Sequence, residues 1–294
     1  MSRFTIYNNN IEAVIDTLGA ELCKLTKNSQ DYLHNANPLY WARTAPYLFP
    51  NVGALKNNQT IINDQVYVLP KHGFLRDETF NVLSIENNQI ILTAKSNDKT
   101  KKIYPFDFDI IIKYEIIDEY LRCMIQIKNK SSSSMPFNFG LHPAFKVPLL
   151  DNEQFEDYVI EFNRAENCLV PSVNLSNGLI DEKRIVRCFH NLTLLKLCYF
   201  DYQNDAIIIT PLNSTMVRLK SMKTNSGIEF SFSHFSSLGI WTPNHVKANF
   251  IAIEPWIGYA DAIDSDGYFK TKKDLIWLEP NEIFEIKYRM QPLN

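Results

Sequence analysis

The amino-acid sequence predicts an all-β protein built from two large, mostly antiparallel sheets that pack face to face. Three observations support this: apolar and polar residues alternate along several segments, turn-forming residues recur every 8–12 residues or so, and no stretch of about 12 residues shows the helical period. A single twisted sheet rarely exceeds about ten strands, whereas the turn spacing predicts roughly fifteen to twenty of them. Two packed sheets are therefore the simplest arrangement.

Alternation is clearest in three segments. In Pro105–Ile116 the even positions are apolar and the odd positions are polar, with Ile111 as the exception. Ile228–Phe232 and Phe284–Met290 repeat the pattern, with Glu, Lys, Arg or Ser between the apolar residues. Because successive side chains of a strand point to opposite faces, each segment is predicted to be a half-buried antiparallel strand.

Short polar segments separate the predicted strands. The turns, where Asn, Asp, Ser or Gly cluster, are predicted at Glu86–Gln89, Asp118–Glu119, Asn213–Ser214, Asn225–Gly227 and Asn281–Glu282. The low-complexity run Ser131–Ser134 is predicted to be a hairpin turn. No charge block, linker or internal repeat divides the chain, so residues 1–294 are predicted to form one domain.

Composition argues against several classes of function. The chain has 30 Lys and Arg against 33 Asp and Glu, which is not the basic surface that nucleic-acid binding requires. Residues 1–20 lack an apolar signal segment, and no run of about 18 apolar residues occurs. Five cysteines without a Cys-x-x-Cys pair favour a reduced protein. We therefore expect a cytoplasmic monomer or homodimer that binds neither nucleic acid nor a membrane.

Four segments carry titratable residues in apolar or Pro- and Gly-rich surroundings. They are Trp41–Gly53, Pro70–Asp77, Phe139–Phe145 and Phe250–Gly258. In the last of them Glu254 is predicted to end an apolar strand, because Pro255 follows it directly. Partial desolvation there would raise the pKa of the carboxyl toward the range of a general base. A salt bridge to a neighbouring arginine would explain the same residue without any function.

Two histidines are candidates for proton transfer or ligand binding. His142 lies between a Gly-Leu pair and Pro143, and a histidine there can donate a proton near neutral pH. A hydrogen-bonded core histidine fits the same pattern equally well. His72, in Lys-His-Gly-Phe, could bind a ligand hydroxyl or cap a turn.

Arginine and tryptophan side chains supply candidates for substrate binding. Arg43 and Arg76 could hold an anion or a sugar hydroxyl through the guanidinium fork. Trp241 and Trp256 could stack on the apolar face of a sugar, although exposed arginines and core tryptophans are common. The segment 264–267 is weakly similar to a calcium loop but lacks its glutamate, so we predict a turn there and no metal site.

Nearly end to end, the chain resembles the galactose mutarotase-like (aldose 1-epimerase) family, in particular the branch found with lactose and galactose operons of Gram-positive bacteria. The similar segments are Leu18-Gly-Ala-Glu-Leu, Ala45-Pro-Tyr-Leu-Phe-Pro-Asn-Val-Gly, Lys71-His-Gly-Phe-Leu-Arg-Asp, Leu141-His-Pro-Ala-Phe, Ile240-Trp and Ile253-Glu-Pro-Trp-Ile-Gly. No single motif is decisive, but His-Gly-Phe-x-Arg-Asp and Glu-Pro-Trp at this separation are together fairly specific.

The resemblance implies a β-supersandwich with a shallow sugar-binding cleft across one sheet. It also implies interconversion of the α and β anomers of an aldose, either a hexose or a hexose 6-phosphate, without a metal or organic cofactor. In these terms Glu254 is the general base for the C1 hydroxyl, His142 is the general acid for the ring oxygen, and His72 orients the sugar. Ring opening needs such a base and acid on opposite sides of the C1–O5 unit.

The chain departs from the family pattern at Ala54, where a sugar-contacting arginine is often found. Lys56 or Arg43 could substitute for that arginine. Arg76 corresponds to an arginine of hexose 6-phosphate epimerases, so a phosphorylated sugar is also a candidate substrate. The family also has a sugar-binding aspartate in the middle of the chain, for which the candidates are Asp157 and Asp205.

Two other functions stay open at this point. The first is a non-catalytic sugar-binding or sensing protein on the same scaffold, since one fold hosts many functions. The second is a glycosidase, which requires two carboxylates about 5–10 Å apart. Asp261 would be the candidate partner of Glu254 in that case.

Overall fold

The computed structural model describes residues 2–293, and strands dominate them. In chain order the strands are β1 (Arg3–Tyr7), β2 (Ile11–Asp16), β3 (Leu22–Lys27), β4 (Gln30–Asp31), β5 (Tyr47–Leu48), β6 (Gln59–Ile62), β7 (Gln65–Val68), β8 (Asn81–Glu86), β9 (Gln89–Lys95), β10 (Phe108–Ile117), β11 (Tyr120–Asn129), β12 (Met135–Phe137), β13 (Phe139–Leu141), β14 (Ala144–Lys146), β15 (Tyr158–Val173), β16 (Ile180–Lys196), β17 (Ile207–Ile209), β18 (Met216–Ser221), β19 (Gly227–Phe232), β20 (Ser237–Trp241), β21 (Phe250–Ile257), β22 (Ile276–Leu278) and β23 (Ile283–Leu293). The helical elements are α1 (Asp98–Ile103) and the 3-10 turns Lys56–Asn58, Leu75–Asp77, Phe155–Asp157, Tyr199–Tyr202 and Phe269–Thr271.

Two large antiparallel sheets form the body of the fold, which confirms the predicted all-β class. The larger sheet has nine strands in the order β16-β15-β18-β19-β23-β11-β10-β9-β8. The second has six strands, with β17-β20-β21-β13-β5 in order and β14 also paired with β21. Smaller sheets comprise β1-β2-β3-β4, β6-β7 and β12-β22.

Alternation along the sequence translates directly into burial in the centre of the nine-stranded sheet. In β10 buried residues alternate with half-buried ones over all ten positions, so the strand predicted in Pro105–Ile116 is confirmed. Strand β19 deviates because Glu229 on its predicted polar face is only 7% exposed. Arg218 lies 3.0 Å from this carboxylate, and Arg289 also contacts it. The charge is buried because two guanidinium groups compensate it.

Aromatic side chains fill the space between the two large sheets. Phe145 of β14 packs against Phe230 of β19 with ring centroids 5.5 Å apart. Phe139 of β13 lies 6.2 Å from Phe284 of β23 in the same way. Each pair joins one large sheet to the other, so the core lies between them and the opposite face of the six-stranded sheet is free to form a cleft.

One predicted turn has a different role in the structure. Ser131–Ser134 connects β11, in the nine-stranded sheet, to β12, which pairs with β22. The prediction of a hairpin turn is therefore wrong, since polar turn residues show where a strand ends but not which strand pairs next. Among residues 2–293 no helix has the length and apolar character needed to cross a membrane.

Candidate active site

A cleft of about 260 Å³ lies over the six-stranded sheet. Its aromatic and titratable lining side chains are Trp41, Lys71, His72, Arg76, His142, Asp205, Trp241, Glu254 and Trp256. Seven of the residues named as functional candidates from the sequence are among them, all except Trp41 and Lys71. The cleft therefore gathers chemical groups from six separate segments of the chain.

Glu254 sits within β21 and not at its end, because the strand continues through Pro255 to Ile257. On one side β21 pairs with β14 at residues 250–252 and with β13 at residues 256–257. Pro255 lies opposite the gap between these two short strands, so its missing N–H breaks no ladder bond on that side. The prediction that Pro255 ends the strand is wrong for this reason.

His142 occupies that same gap, between β13 and β14, and therefore faces Glu254. The imidazole Nε2 lies 3.0 Å from Oε2 of the carboxyl. Both residues are buried, with His142 7% and Glu254 2% exposed. Among the described residues, neither this Oε2 nor Nδ1 of His142 has a hydrogen-bond partner. The two atoms are close without the alignment of a hydrogen bond, so both groups keep capacity to bind a ligand.

Burial sets the protonation of this pair. It raises the pKa of Glu254 well above its usual range, and the carboxylate of Asp205 adds to the increase while the ammonium of Lys71 opposes it. Burial also lowers the pKa of His142 to about 3. Desolvation penalises both charged forms, so the pair is neutral, with one proton on the carboxyl.

Aromatic rings enclose the imidazole of His142. The indole of Trp41 stacks on it with centroids 4.5 Å apart and an interplanar angle of 25°. Trp241 and His72 both approach it edge-on, each with centroids 5.8 Å away. These contacts fix the orientation of the imidazole and keep water from its faces.

His72 is held as a neutral hydrogen-bond donor. Its Nδ1 accepts a hydrogen bond of 3.1 Å from the backbone N–H of Gly53, so the ring hydrogen resides on Nε2. Burial lowers its pKa well below the usual range, and His142, Lys71 and Arg76 lower it further. The backbone of His72 is left-handed, with φ 69°, a strained conformation of the kind that functional loops retain.

Two cationic side chains reach the cleft from the same loop. Arg76 donates from Nη2 to the carbonyl oxygen of Lys71 at 3.0 Å. Its Nε is buried and has no hydrogen-bond partner among residues 2–293. Lys71 was not among the functional residues predicted from the sequence, although its position beside His72 in the Lys-His-Gly-Phe-Leu-Arg-Asp motif is a signal for it.

Arg43 and Lys56 do not line the cleft. The guanidinium of Arg43 donates 2.9 Å to the carbonyl of Arg76 and pairs with Asp77. Lys56 donates from Nζ to the carbonyl of Ser265 at 2.6 Å. Each cation is bound to oxygen atoms of the protein. Neither therefore takes the place of the sugar-contacting arginine that the family often has at the position of Ala54.

Of the aspartates proposed from the sequence, only one lines the cleft. Asp205 lines the cleft, whereas Asp157 lies 2.6 Å from Lys223 and caps a 3-10 turn. Asp261 forms a buried ion pair of 2.7 Å with Lys272. Its carboxylate is thereby occupied, which removes the second carboxylate that the glycosidase alternative assumed. Within residues 2–293, no three His, Cys, Asp or Glu side chains are grouped to hold a metal ion.

Comparison with known proteins gives matches over nearly the whole chain. The family model described as aldose 1-epimerase matches residues 2–291. Among curated proteins, the chromosomal and plasmid forms of Protein LacX from Lactococcus lactis subsp. lactis are each 30% identical to this chain, covering 98% of it and 98% of their own length.

Solved structures match the fold closely. A galactose mutarotase related enzyme from Lactobacillus acidophilus has a TM-score of 0.94 at 29% identity, covering 100% of this chain and 98% of its own. A galactose mutarotase-like protein from Lactobacillus casei ATCC 334 has a TM-score of 0.91 at 26% identity, with coverage of 99% and 100%. The resemblance seen in the sequence is thus confirmed, together with the sandwich fold it implied.

Proposed function

The chain belongs to the aldose 1-epimerase family, and from this premise we propose that it interconverts the α and β anomers of an aldose in the cleft around Glu254 and His142. The observation that carries the proposal is the contact of 3.0 Å between a buried imidazole and a buried carboxyl. A hexose and a hexose 6-phosphate are both candidate substrates. Anomerisation requires two coupled proton transfers, and this pair has the two groups for them.

In the proposed reaction Glu254 acts as the base and His142 as the acid. Glu254 takes the proton of the C1 hydroxyl, the C1–O5 bond breaks with its electron pair moving to O5, and His142 protonates O5. The open-chain aldehyde then rotates about C1–C2. Attack of the O5 hydroxyl on the other face of C1 returns one proton to His142 and one from Glu254 to O1, so both groups regain their starting states.

The single proton of the pair has to move from Glu254 to His142 before these roles are available. At 3.0 Å the two groups are close enough for that transfer once the bound sugar aligns the imidazole with the carboxyl. A C1 hydroxyl that donates to the carboxylate favours the ionised Glu254. The Lys71 ammonium lowers the pKa of Glu254 and also that of His142, so it favours the carboxylate but not the imidazolium. Substrate binding therefore selects the arrangement with a carboxylate base and an imidazolium acid.

The remaining lining residues would hold the sugar. His72 donates from Nε2 to a hydroxyl, and the guanidinium of Arg76, which lines the cleft, offers further donors to a hydroxyl or a phosphate. Trp241 offers an aromatic face beside the imidazole. Asp205, which also lines the cleft, accepts from hydroxyls of the sugar. Together these groups bind and orient the sugar, while Glu254 and His142 transfer the protons.

The test is anomer exchange measured by NMR at equilibrium on glucose, galactose, glucose 6-phosphate and galactose 6-phosphate. Glu254→Gln and His142→Asn should each lower the enzyme-catalysed rate by about 10²–10⁴-fold while the sugar still binds. Glu86→Gln, on the exposed face of β8, is the matched control and should exchange at the wild-type rate.

Either of two results would refute the enzymatic proposal. Exchange that persists in both variants would remove the acid–base pair from the mechanism. Sugar binding by the wild type with no acceleration for any of the four sugars would support the non-catalytic sugar-binding alternative instead.

A further inference from the structure

A buried carboxylate outside the catalytic cleft has no part in the proton transfers proposed above. Glu21 belongs to the Leu18-Gly-Ala-Glu-Leu segment between β2 and β3. The residue is 7% exposed, and it is not among the residues that line the cleft. Because a carboxylate is costly to bury unless its oxygens are bonded, the partners of Glu21 show what it holds in place.

The first oxygen of this carboxylate binds the backbone just before β5. Oε1 of Glu21 accepts from the N–H of Thr44 at 2.6 Å and from the N–H of Ala45 at 2.9 Å. Both of these residues are buried, so their N–H groups need a partner within the protein. The carboxylate supplies that partner and fixes the course of residues 44–46.

Residues 44–46 in turn hold the backbone at His142. The N–H of His142 donates to the carbonyl oxygen of Pro46 at 3.2 Å, and the N–H of Ala144 donates to the carbonyl oxygen of Thr44 at 2.8 Å. These two bonds lie at the gap between β13 and β14 in which His142 faces Glu254. A continuous set of hydrogen bonds therefore connects Glu21 to the backbone of the proposed acid.

The second oxygen of the carboxylate reaches Arg76 through Arg43. Oε2 of Glu21 lies 3.5 Å from Nη1 of Arg43, and this nitrogen donates to the carbonyl oxygen of Arg76 at 2.9 Å. Burial lowers the pKa of Arg76, and the carboxylates of Asp77 and Glu21 oppose this decrease. Glu21 thus supports both the position and the charge of a cation that lines the cleft.

From these contacts we infer that Glu21 is a positioning residue of the catalytic cleft, which holds His142 through residues 44–46 and Arg76 through Arg43. The inference rests on the proposed function for the roles of His142 and Arg76. Proton transfer depends on the placement of the reacting groups, and a displacement of about 1 Å can cost about 10²-fold in rate. A carboxylate that touches no substrate therefore controls the reaction through the groups that it holds.

Two substitutions separate the two connections, with the sugar that wild type binds most tightly among glucose, galactose, glucose 6-phosphate and galactose 6-phosphate. Glu21→Gln keeps an oxygen that accepts from the backbone N–H groups but removes the negative charge beside Arg43. It should weaken sugar binding about fivefold and leave the exchange rate at saturating sugar within about twofold of wild type. Arg43→Met should weaken binding at least as much, and Glu21→Gln should add nothing further in that background.

Glu21→Ala removes both connections. It should weaken binding and also lower the exchange rate at saturating sugar by about tenfold or more. The imidazole signal of His142 should shift as well, whereas Glu21→Gln should restore it to the wild-type position. This signal is recorded by NMR with ¹³C-labelled histidine and is assigned by its loss in His142→Asn.

Glu166 provides the matched control. Its buried carboxylate also accepts from two consecutive backbone N–H groups, those of Asn213 at 3.0 Å and Ser214 at 2.7 Å, but none of these three residues lines the cleft. Glu166→Ala should reduce stability, because it leaves buried N–H groups without a partner. Sugar affinity, exchange rate and the imidazole signal should all stay at their wild-type values.

Two results would overturn the inference. One is that Glu21→Ala changes affinity, exchange rate and the imidazole signal no more than Glu166→Ala does, which would make Glu21 purely structural. The other is that Glu21→Gln binds sugar as tightly as wild type, and this result is decisive even where Glu21→Ala fails to fold. Wild type that accelerates no exchange would refute the proposed function alone, because affinity and the imidazole signal are measured without turnover.

Discussion

Glu254 and His142 are in contact in a place from which solvent is nearly absent, and this determines how they respond to pH. In the folded protein the carboxyl keeps its proton, because burial raises its pKa, and the imidazole stays neutral, because burial lowers its pKa to about 3. In the unfolded chain the pKa values are the ordinary ones, 4.5 for Glu254 and 6.5 for His142. Between those two pH values both states bind one proton, so the pair adds no pH dependence to stability there.

Above pH 6.5, which is the ordinary pKa of His142, this histidine loses its proton in the unfolded chain. In the folded protein Glu254 still retains its proton. The unfolded state then binds fewer protons, so the pair lowers the free energy of unfolding by about 1.4 kcal/mol per pH unit until the raised pKa of Glu254 is reached. Glu254→Gln should lose this decline and become more stable than wild type as the pH rises above about 7. Urea unfolding across that range measures the difference.

A matched variant separates this effect from the titration of all other groups. Glu86→Gln, exposed on β8, should show the wild-type slope. The same decline with pH in Glu254→Gln as in wild type would contradict the assignment of the proton to the buried carboxyl. Such a gain in stability at the proposed base would also be an example of the trade-off between stability and activity.

At the scale of elements, the register of β20 against β21 shapes the floor of the cleft. Gly239 of β20 lies directly opposite Glu254 of β21. The indole of Trp256 covers this glycine so closely that an added Cβ would be 2.3 Å from its Cη2 atom. The absence of a side chain at position 239 therefore allows the indole to lie against the strand and line the cleft.

Gly239→Ala should displace Trp256 and destabilise the protein by about 1–3 kcal/mol, which is the usual effect of overpacking. Sugar affinity should fall as well, because the indole lines the cleft. Thermal unfolding and NMR titration with galactose measure the two effects.

A double-mutant cycle with Trp256→Phe identifies the cause. The atoms nearest to the added methyl belong to the far end of the indole, which phenylalanine lacks. Gly239→Ala should therefore cost less in the Trp256→Phe background. Strictly additive losses would contradict the proposed clash.

At the scale of the whole molecule, a buried polar cluster links the two large sheets. The hydroxyl of Tyr47 in β5 lies 2.7 Å from that of Tyr114 and 3.1 Å from that of Tyr288. It also lies 3.1 Å from Sγ of Cys123. Tyr114 donates onward to the carbonyl of Ala20 at 2.9 Å. One hydroxyl thus connects the sheet that carries the cleft with three strands of the larger sheet.

Tyr47→Phe should leave buried partners unsatisfied and reduce stability by about 1–3 kcal/mol. For a protein of this size each kcal/mol lowers Tm by roughly 2–4 °C. Tyr67→Phe, whose hydroxyl donates to Gln65 at an exposed site, is the matched control and should change Tm little. Equal changes in the two variants would show that the cluster does not stabilise the sandwich.

The sequence by itself determined the fold class and the segments that form the cleft. Alternation is a local property, since successive side chains of a strand face opposite ways, and it located β10, β19 and β23. The motifs around Glu254, His142 and His72 were also visible locally, because titratable residues stood out in apolar surroundings.

Tertiary structure alone decided which of those residues meet. Glu254 faces His142 because β13 and β14 pair with β21 on either side of a gap, and no local pattern encodes which strands become neighbours. Arg43 lies outside the cleft because its guanidinium is bound by Asp77 and by a backbone carbonyl. Lys71, which was not predicted from the sequence to be functional, lines the cleft. The partner of a charged side chain is set by long-range strand pairing, and that pairing is a property of the folded chain.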